Sequence, residues 1–317
     1  MCSDQKNNTL HAPVLLDEVL SLVPPGARLV VDFTVGGGGH TEAILKLLGE
    51  AAQVIAFDRD VDALEQTGKR LDVYKKRLRL VHDSYANFDK HLTPAEKGKI
   101  DFALFDLGLS SIQLEQSKRG FAHQASADAL DLRFDNSSGA PLAEKLEQVS
   151  VNELTRILGE YGEIDRPRKI AAAIVGASDA GELATVGDLV KVVLPHVKRE
   201  KSKQALSQVW QALRIWVNDE LEQLHTVMPK IVENLNVGGV VAFISFHSLE
   251  DRAVKQFFVA QENPCVCPRN VPVCVCGRKA LLKRLTRKAI KASEAEIAIN
   301  QRSRSARLRA AAKLGTS

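Results

Sequence analysis

The stretch LVVDFTVGGGGHTEAILKLLGEAAQVIAFDRD, residues 29–60, decides the fold of this chain. Residues 29–33 form a short apolar, β-branched run. Gly36 to Gly39 let backbone lie against a ligand without Cβ interference, and residues 41–48 carry helical periodicity. A second apolar run, residues 53–57, ends in Asp58. Strand, glycine turn, helix and strand within about thirty residues make a βαβ crossover. A carboxylate closing the second strand, about 20 residues past the glycines, is placed to take the hydroxyls of an unphosphorylated ribose.

What the turn lacks narrows the ligand. A GxGxxG fingerprint begun at Gly36 needs glycine or alanine where Thr41 stands, and no lysine completes a phosphate cradle. Strand ends carrying Asp32, Asp58 and Asp106 would repel pyrophosphate. They suit the sulfonium, ammonium and ribose of S-adenosylmethionine, which we favour over NAD. The glycines alone would equally fit a tight strand-to-helix turn with no ligand.

At 317 residues, 45% apolar and 26% charged, the chain is expected to be globular, either one decorated domain or two. No stretch approaches twenty apolar residues and MCSDQKNNTL has no signal-peptide pattern, so a cytoplasmic location without membrane contact is expected. Five cysteines, an odd number, fit reduced thiols better than a disulfide framework. The net charge of +4 divides unevenly. From Arg278 onward 12 Lys and Arg face only Glu294 and Glu296, leaving −6 on residues 1–277. A basic C-terminal segment, including NQRSRSARLR at residues 300–309, suggests a polyanion-binding surface beside the acidic cleft, and a solvated tail is the plainer alternative.

Further strands are expected at residues 79–81, 100–105 and 239–245, and helices at 151–158, 167–175, 186–193 and 212–229. A helical stretch interrupting strand-helix alternation reads as an insert. The expected division is a first core part, residues 1–113, an inserted helical domain, 114–211, and a second core part, 212–317.

Two loops leave strand ends with chemically loaded residues. In DLGLSSIQ, residues 106–113, Asp106 and adjoining carbonyls can accept hydrogen bonds from an amine that is being methylated; a turn or helix-cap role is the alternative. In VVAFISFHSLEDR, residues 240–252, Ser245, His247 and Ser248 cluster, but with no GxSxG elbow His247 is expected to order substrate or loop. Cys265, Cys267, Cys274 and Cys276 form CxC-x6-CxC. That spacing departs from the CxxC knuckles of structural zinc, so thiols without a metal are expected.

Taken in order, HAPVLLDEVL (11–20), DFTVGGGGHT (32–41), FDRD (57–60), DLGLSSIQL (106–114), RGFA (119–122), LDLRFD (130–135), RIWVNDEL (214–221), SFHSLEDR (245–252) and RSRSARLR (302–309) resemble the bacterial S-adenosylmethionine-dependent 16S ribosomal RNA cytosine-N4 methyltransferases. The resemblance covers nearly the whole chain. It implies a class I, Rossmann-like α/β core with a helical insert, and methylation of N4 of a cytidine in the decoding centre of the small ribosomal subunit. Cofactor contacts carried over by motif fall on Gly38, Gly39, His40, Asp58, Tyr85 (phenylalanine in most of the family), Asp106 and Gln113. By its position at the strand end Asp106 is also the expected catalytic residue, holding the N4 protons with nearby carbonyls, and no metal is required. Two departures stand out: Phe33 occupies a position that is glycine in the family, and QALSQVWQA, residues 204–212, replaces HPATRTFQA in a segment expected to face RNA or the target base. A methyltransferase for a small molecule or protein would share this core without needing the basic segment. A non-catalytic RNA-binding protein would not need the pair Asp58 and Asp106.

Overall fold

Successive side chains of a strand point to opposite faces, and in this protein both faces of the sheet are covered. The computed structural model describes residues 13–110, 113–114, 117–268, 273 and 275–315. Seven strands, β1 (Leu29–Asp32), β2 (Gln53–Asp58), β3 (Leu78–His82), β4 (Ile100–Asp106), β5 (Leu235–Ser245), β6 (Leu282–Arg284) and β7 (Arg307–Lys313), lie in the order β3-β2-β1-β4-β5-β7-β6. Neighbours from β3 through β5 pair in parallel, whereas β7 runs antiparallel to both β5 and β6. After β1 the chain builds outward through β2 and β3, then returns to place β4 on the other side of β1. That reversal opens a crevice at the carboxyl ends of β1 and β4, where open α/β sheets take their ligands.

Helices α1 (Leu16–Leu22), α2 (Gly39–Leu47) and α3 (Val61–Arg70) follow in the first half. Val30, Val54, Phe102, Leu104, Ala242 and Ile244 pack with Val19 of α1 and Ile44 and Leu45 of α2 on one face. The alternate residues Val31, Phe33, Ile55, Phe57, Phe105 and Phe243 form the other face. There Phe33 stacks on Phe105 (centroids 4.1 Å apart) and on Phe57 (5.7 Å), while Phe105 stacks on Phe243 (4.4 Å), an aromatic row across β2, β1, β4 and β5. The bulk of Phe33 is thus directed into the core beneath the crevice.

The middle of the chain is helical: α4 (Leu142–Gln148), α5 (Val151–Gly162), α6 (Arg168–Asp179), α7 (Val186–Val193) and α8 (Ser202–Asn218). Leu146, Leu154, Ile157, Ile174, Leu189, Val209 and Leu213 share a second buried cluster. The helix expected over residues 212–229 is two helices. α8 passes through residue 211 without a break and ends where Asp219 takes φ 52°, after which α9 (Glu220–Asn234) starts. α9 and α10 (Ser248–Glu262) cover the aromatic face with Leu224, Val227, Ile231, Val254 and Phe258.

The basic C-terminal segment is not a tail. Past α11 (Glu294–Ile299) it becomes β7, inserted between β5 and β6, and three of its cations are used internally. Arg309 donates to Asp251 (2.7 and 3.1 Å), Arg307 donates to the same carboxylate (3.2 Å), and Lys313 donates to the carbonyls of Glu233 and Leu235. Among the described residues no helix is long and apolar enough to cross a membrane.

Candidate active site

The glycine turn is tied down from behind by α3. Thr67 donates its hydroxyl to the Gly36 carbonyl (2.7 Å), and Arg70 donates to the carbonyls of Gly37 and Gly38 and pairs with Glu42. Gly38 has φ 75°, and a Cβ there would come within 2.7 Å of Thr67 Cγ2. The position therefore demands glycine for packing against α3, and Gly36, Gly37 and Gly39 rather than Gly38 line the crevice. A Cβ on Gly39 would strike Pro13 at 2.5 Å. The crevice is a cavity of roughly 920 Å³, at the upper end for a small-molecule site.

Asp58 closes β2 on the cavity wall. Its two oxygens accept N–H bonds from Gly36 (2.8 Å) and Asp60 (2.9 Å), so it braces the turn as well as facing the cavity. Burial pushes its carboxyl up to about 6, against the stabilising pull of those two amides. Asp32 does not line the crevice as expected: it is buried beneath it, accepting from the Thr41 hydroxyl (2.6 Å) and the Thr34 amide (3.1 Å).

Asp106 ends β4 with its carboxylate at the cavity. One oxygen, Oδ1, is buried without a hydrogen-bond partner among the described residues, and Oδ2 lies 3.4 Å from His40 Nδ1. His40 Nε2 faces the Val14 carbonyl at 3.0 Å; a carbonyl only accepts, so Nε2 carries the hydrogen and Nδ1 turns a lone pair to Asp106. Burial, with the nearby carboxylates of Asp32 and Glu250, holds the Asp106 carboxyl well above its usual range, and burial lowers the His40 imidazolium. An orphaned acceptor in a pocket this acidic fits a ligand bearing positive charge or N–H donors.

Gln113 and Tyr85 complete the expected set, and both line the cavity. The Gln113 side-chain oxygen accepts from the Ser110 amide (3.0 Å) and its backbone amide donates to the Ser110 hydroxyl (3.2 Å), which ties Gln113 to Ser110. Tyr85 stands edge-on to Phe105, 5.7 Å between centroids. Burial near Glu220 and Glu250 raises its phenol above the ordinary value.

The crevice also holds residues that sequence reasoning did not single out. Arg214 donates twice to the buried Glu220, 2.8 Å each, and the pair lies with Glu250 on the cavity wall. Glu250 accepts from the amides of Phe246 and His247, and His247 Nε2 lies 3.1 Å from its other oxygen. Their signal was the motif spacing itself, since RIWVNDEL and SFHSLEDR deliver the three side chains.

Other motif residues hold the helical body to the sheet. Arg119 of RGFA pairs with the buried Asp60 of FDRD and donates to the carbonyls of Arg133 and Phe134. Asn218 accepts from the Phe134 amide and donates to the Leu132 carbonyl, each at 2.7 Å. Ser248 and Arg252 both donate to Glu163, just past the end of α5. In the segment 204–212 Val209 and Trp210 are buried, Trp210 Nε1 donates to the Gly120 carbonyl (2.9 Å), and Gln208 and Gln211 donate to the carbonyls of Glu163 and Tyr161, while Gln204 and Ser207 stay exposed.

A family model described as the MraW methylase family matches residues 8–314. The chain belongs to the MraW methylase family. It is 42% identical over 309 residues to ribosomal RNA small subunit methyltransferase H of Heliobacterium mobile, covering 96% of this chain and 99% of that one. It is 42% identical over 308 residues to the protein of the same name from Citrifermentans bemidjiense, covering 96% and 98%. A solved rRNA methylase from Streptococcus thermophilus is similar at 15% identity, with a TM-score of 0.42, over 95% of this chain and 94% of that one. The α/β fold of this family member is the class I, Rossmann-like one expected, with β7 reversed in a seven-stranded sheet.

Proposed function

We propose that this MraW-family methylase transfers a methyl group from S-adenosyl-L-methionine to N4 of a cytidine in the decoding centre of 16S ribosomal RNA, within the small subunit in the cytoplasm. The observation that carries the reading is the orphaned, buried Asp106 Oδ1 at the β1/β4 crevice, beside a glycine turn and a carboxylate suited to a ribose. Full-length similarity to small-subunit rRNA methyltransferases supports the substrate class.

When bound, S-adenosylmethionine supplies a methyl group activated on a sulfonium. The backbone of Gly36, Gly37 and Gly39 offers close approach, with Gly38 fixing the turn and His40 closing its far side. Asp58 accepts the ribose hydroxyls on the lone pairs its two amide bonds leave available. Tyr85 presents an aromatic face for a base, and Gln113 holds Ser110 at the cavity.

The N4 lone pair of cytosine is delocalised into the ring, so the enzyme must align the amine and hold its protons. Asp106 Oδ1 has the free acceptor capacity to do this. Asp106 would take one N4 proton as the amine accepts the methyl group that the bound cofactor supplies. Its raised proton affinity favours that step, and His40 Nδ1, 3.4 Å away, offers a route for the proton to leave. The helical insert, read as residues 114–211, walls the substrate side. Incubation with labelled S-adenosylmethionine and small subunits lacking the modification, followed by mapping of methylated nucleosides, tests the proposal. Label recovered in N4-methylcytidine at the decoding centre is the expected result, and label at another base or in protein defeats it.

A further inference from the structure

Beside His40 the crevice is walled by residues that precede α1. Pro13 and Val14 line it. Leu15, next in the chain, is fully buried with φ 54° and ψ 38°, a left-handed conformation that leucine keeps only where its surroundings hold it. Its side chain packs with Val19, Ile44 and Leu45, and its carbonyl accepts from the Val19 amide (2.9 Å). Its own amide is held by a residue from the other end of the protein. The N–H donates to Glu296 Oε1 of α11 at 2.8 Å, across 281 positions of sequence.

The Leu15 N–H and the Val14 carbonyl belong to one planar trans peptide unit, so they point in opposite directions and turn together. One end of that unit meets Glu296, and the other meets His40 Nε2 at 3.0 Å. We propose that Glu296 is a positioning residue for methyl transfer: by fixing the rotation of the Val14–Leu15 peptide it holds His40 in the Nε2–H tautomer, with the Nδ1 lone pair turned to Asp106. The proposal rests on the reading of Asp106 as the group that takes the N4 proton.

The path from Glu296 to Asp106 is continuous. It consists of contacts of 2.8, 3.0 and 3.4 Å joined by one rigid peptide and one rigid ring. His40 is buried, and burial disfavours its imidazolium, so the ring carries one hydrogen and the choice of nitrogen decides what Asp106 meets. With the hydrogen on Nε2, Nδ1 can receive the proton that Asp106 has taken from N4. The imidazolium then formed donates through Nε2 to a carbonyl already in place, and the Glu296 carboxylate polarises that carbonyl through the shared peptide. With the hydrogen on Nδ1 instead, His40 would donate to Asp106, lower its proton affinity and block that exit. Without Glu296 the strained peptide is free to turn, and the Val14 carbonyl leaves His40.

The test is the tautomer of His40 in the full-length protein, read from long-range proton–nitrogen couplings of the ring and assigned by loss of the signal in His40→Asn. The wild type is expected to carry the hydrogen on Nε2. Glu296→Ala should shift His40 to Nδ1–H or to an exchanging mixture, and should slow single-turnover methylation of unmodified small subunits about tenfold at saturating cofactor and subunit. Glu296→Gln keeps a carbonyl oxygen for the Leu15 amide, so it should restore the tautomer and stay within about threefold of the wild-type rate. Glu294→Ala, changed in the same turn of α11, should match the wild type in both. A tie that merely seats α11 would cost thermal stability and leave tautomer and saturated rate unchanged. That outcome overturns the proposal, as does Nδ1–H in the wild type or a glutamine variant no better than alanine. Wild-type protein that methylates a base other than cytidine defeats the functional reading instead, and the tautomer, measured on protein alone, still decides the role of Glu296.

Discussion

Asp58 and Asp106 both end strands at the crevice, yet their surroundings assign them different work. Asp58 already holds the Gly36 and Asp60 amides, so Asp58→Ala should remove both a ribose acceptor and a brace of the glycine turn. Loss of charge-assisted bonds of about 1.5–3 kcal/mol should weaken S-adenosylmethionine about ten- to a hundredfold by calorimetric titration. Its carboxyl is raised from 3.8 to about 6, so the folded state binds the proton more tightly and loses stability as pH rises through that window. Ribose hydroxyls instead favour the ionised form. Cofactor affinity should therefore fall about tenfold from pH 7 to pH 5 as Asp58 takes up its proton, and Asp58→Asn should flatten that dependence. A wild-type affinity constant across this range would remove Asp58 from the site. Asp106→Ala should reduce single-turnover methylation on the order of a hundredfold even at saturating cofactor, since displacement is sensitive to misalignment of about 1 Å. Full rescue by excess cofactor would make Asp106 a binding residue only.

Among the elements, the strand β7 changes the meaning of the basic C-terminal segment most. It fills the gap between β5 and β6, with Leu308, Ala310 and Ala311 buried and Arg309 paired to Asp251. Deletion of residues 300–317 should leave the sheet open along β5 and give protein without a cooperative thermal transition, not a folded enzyme with weaker RNA binding. A sharp transition at the wild-type temperature would contradict that placement. The links between helical body and sheet carry a comparable load. Arg119→Ala would strand the buried Asp60 carboxylate and should cost about 3–5 kcal/mol in urea denaturation. A loss under about 1 kcal/mol would mean that the pair is replaceable by solvent.

For the whole molecule, the cations that remain exposed on the C-terminal part include Lys283, Arg287, Lys288, Lys291 and Arg304. We propose these, together with the exposed Arg307 and unlike the buried Arg309, as the surface that meets RNA phosphates. Changing Arg287, Lys288 and Lys291 together to Gln should lower the slope of log affinity against log salt by about 2, with cofactor affinity unchanged. An unaltered slope would place the RNA on another face.

Local patterning was sufficient for the framework: the βαβ unit, the strand-end carboxylates and most helices of the insert were legible because hydrophobic period and glycine placement are short-range signals. Asp58 and Asp106 were legible as strand-end carboxylates, whereas Tyr85 and Gln113 came only from the family resemblance; all four line the crevice. The sequence did not show that Gly38 packs on α3 or that Trp210 and Gln211 of the 204–212 segment bond Gly120 and Tyr161. In both cases the deciding partner is far away in the chain. The same holds for β7, whose Arg307 and Arg309 pair with Asp251, and for Cys265, Cys267 and Cys276, whose sulfurs lie within 4.8 Å of one another. Composition and period determine which elements form. What a charged or sulfur-bearing side chain does depends on which distant group neutralises or joins it, and that is decided only when the chain packs.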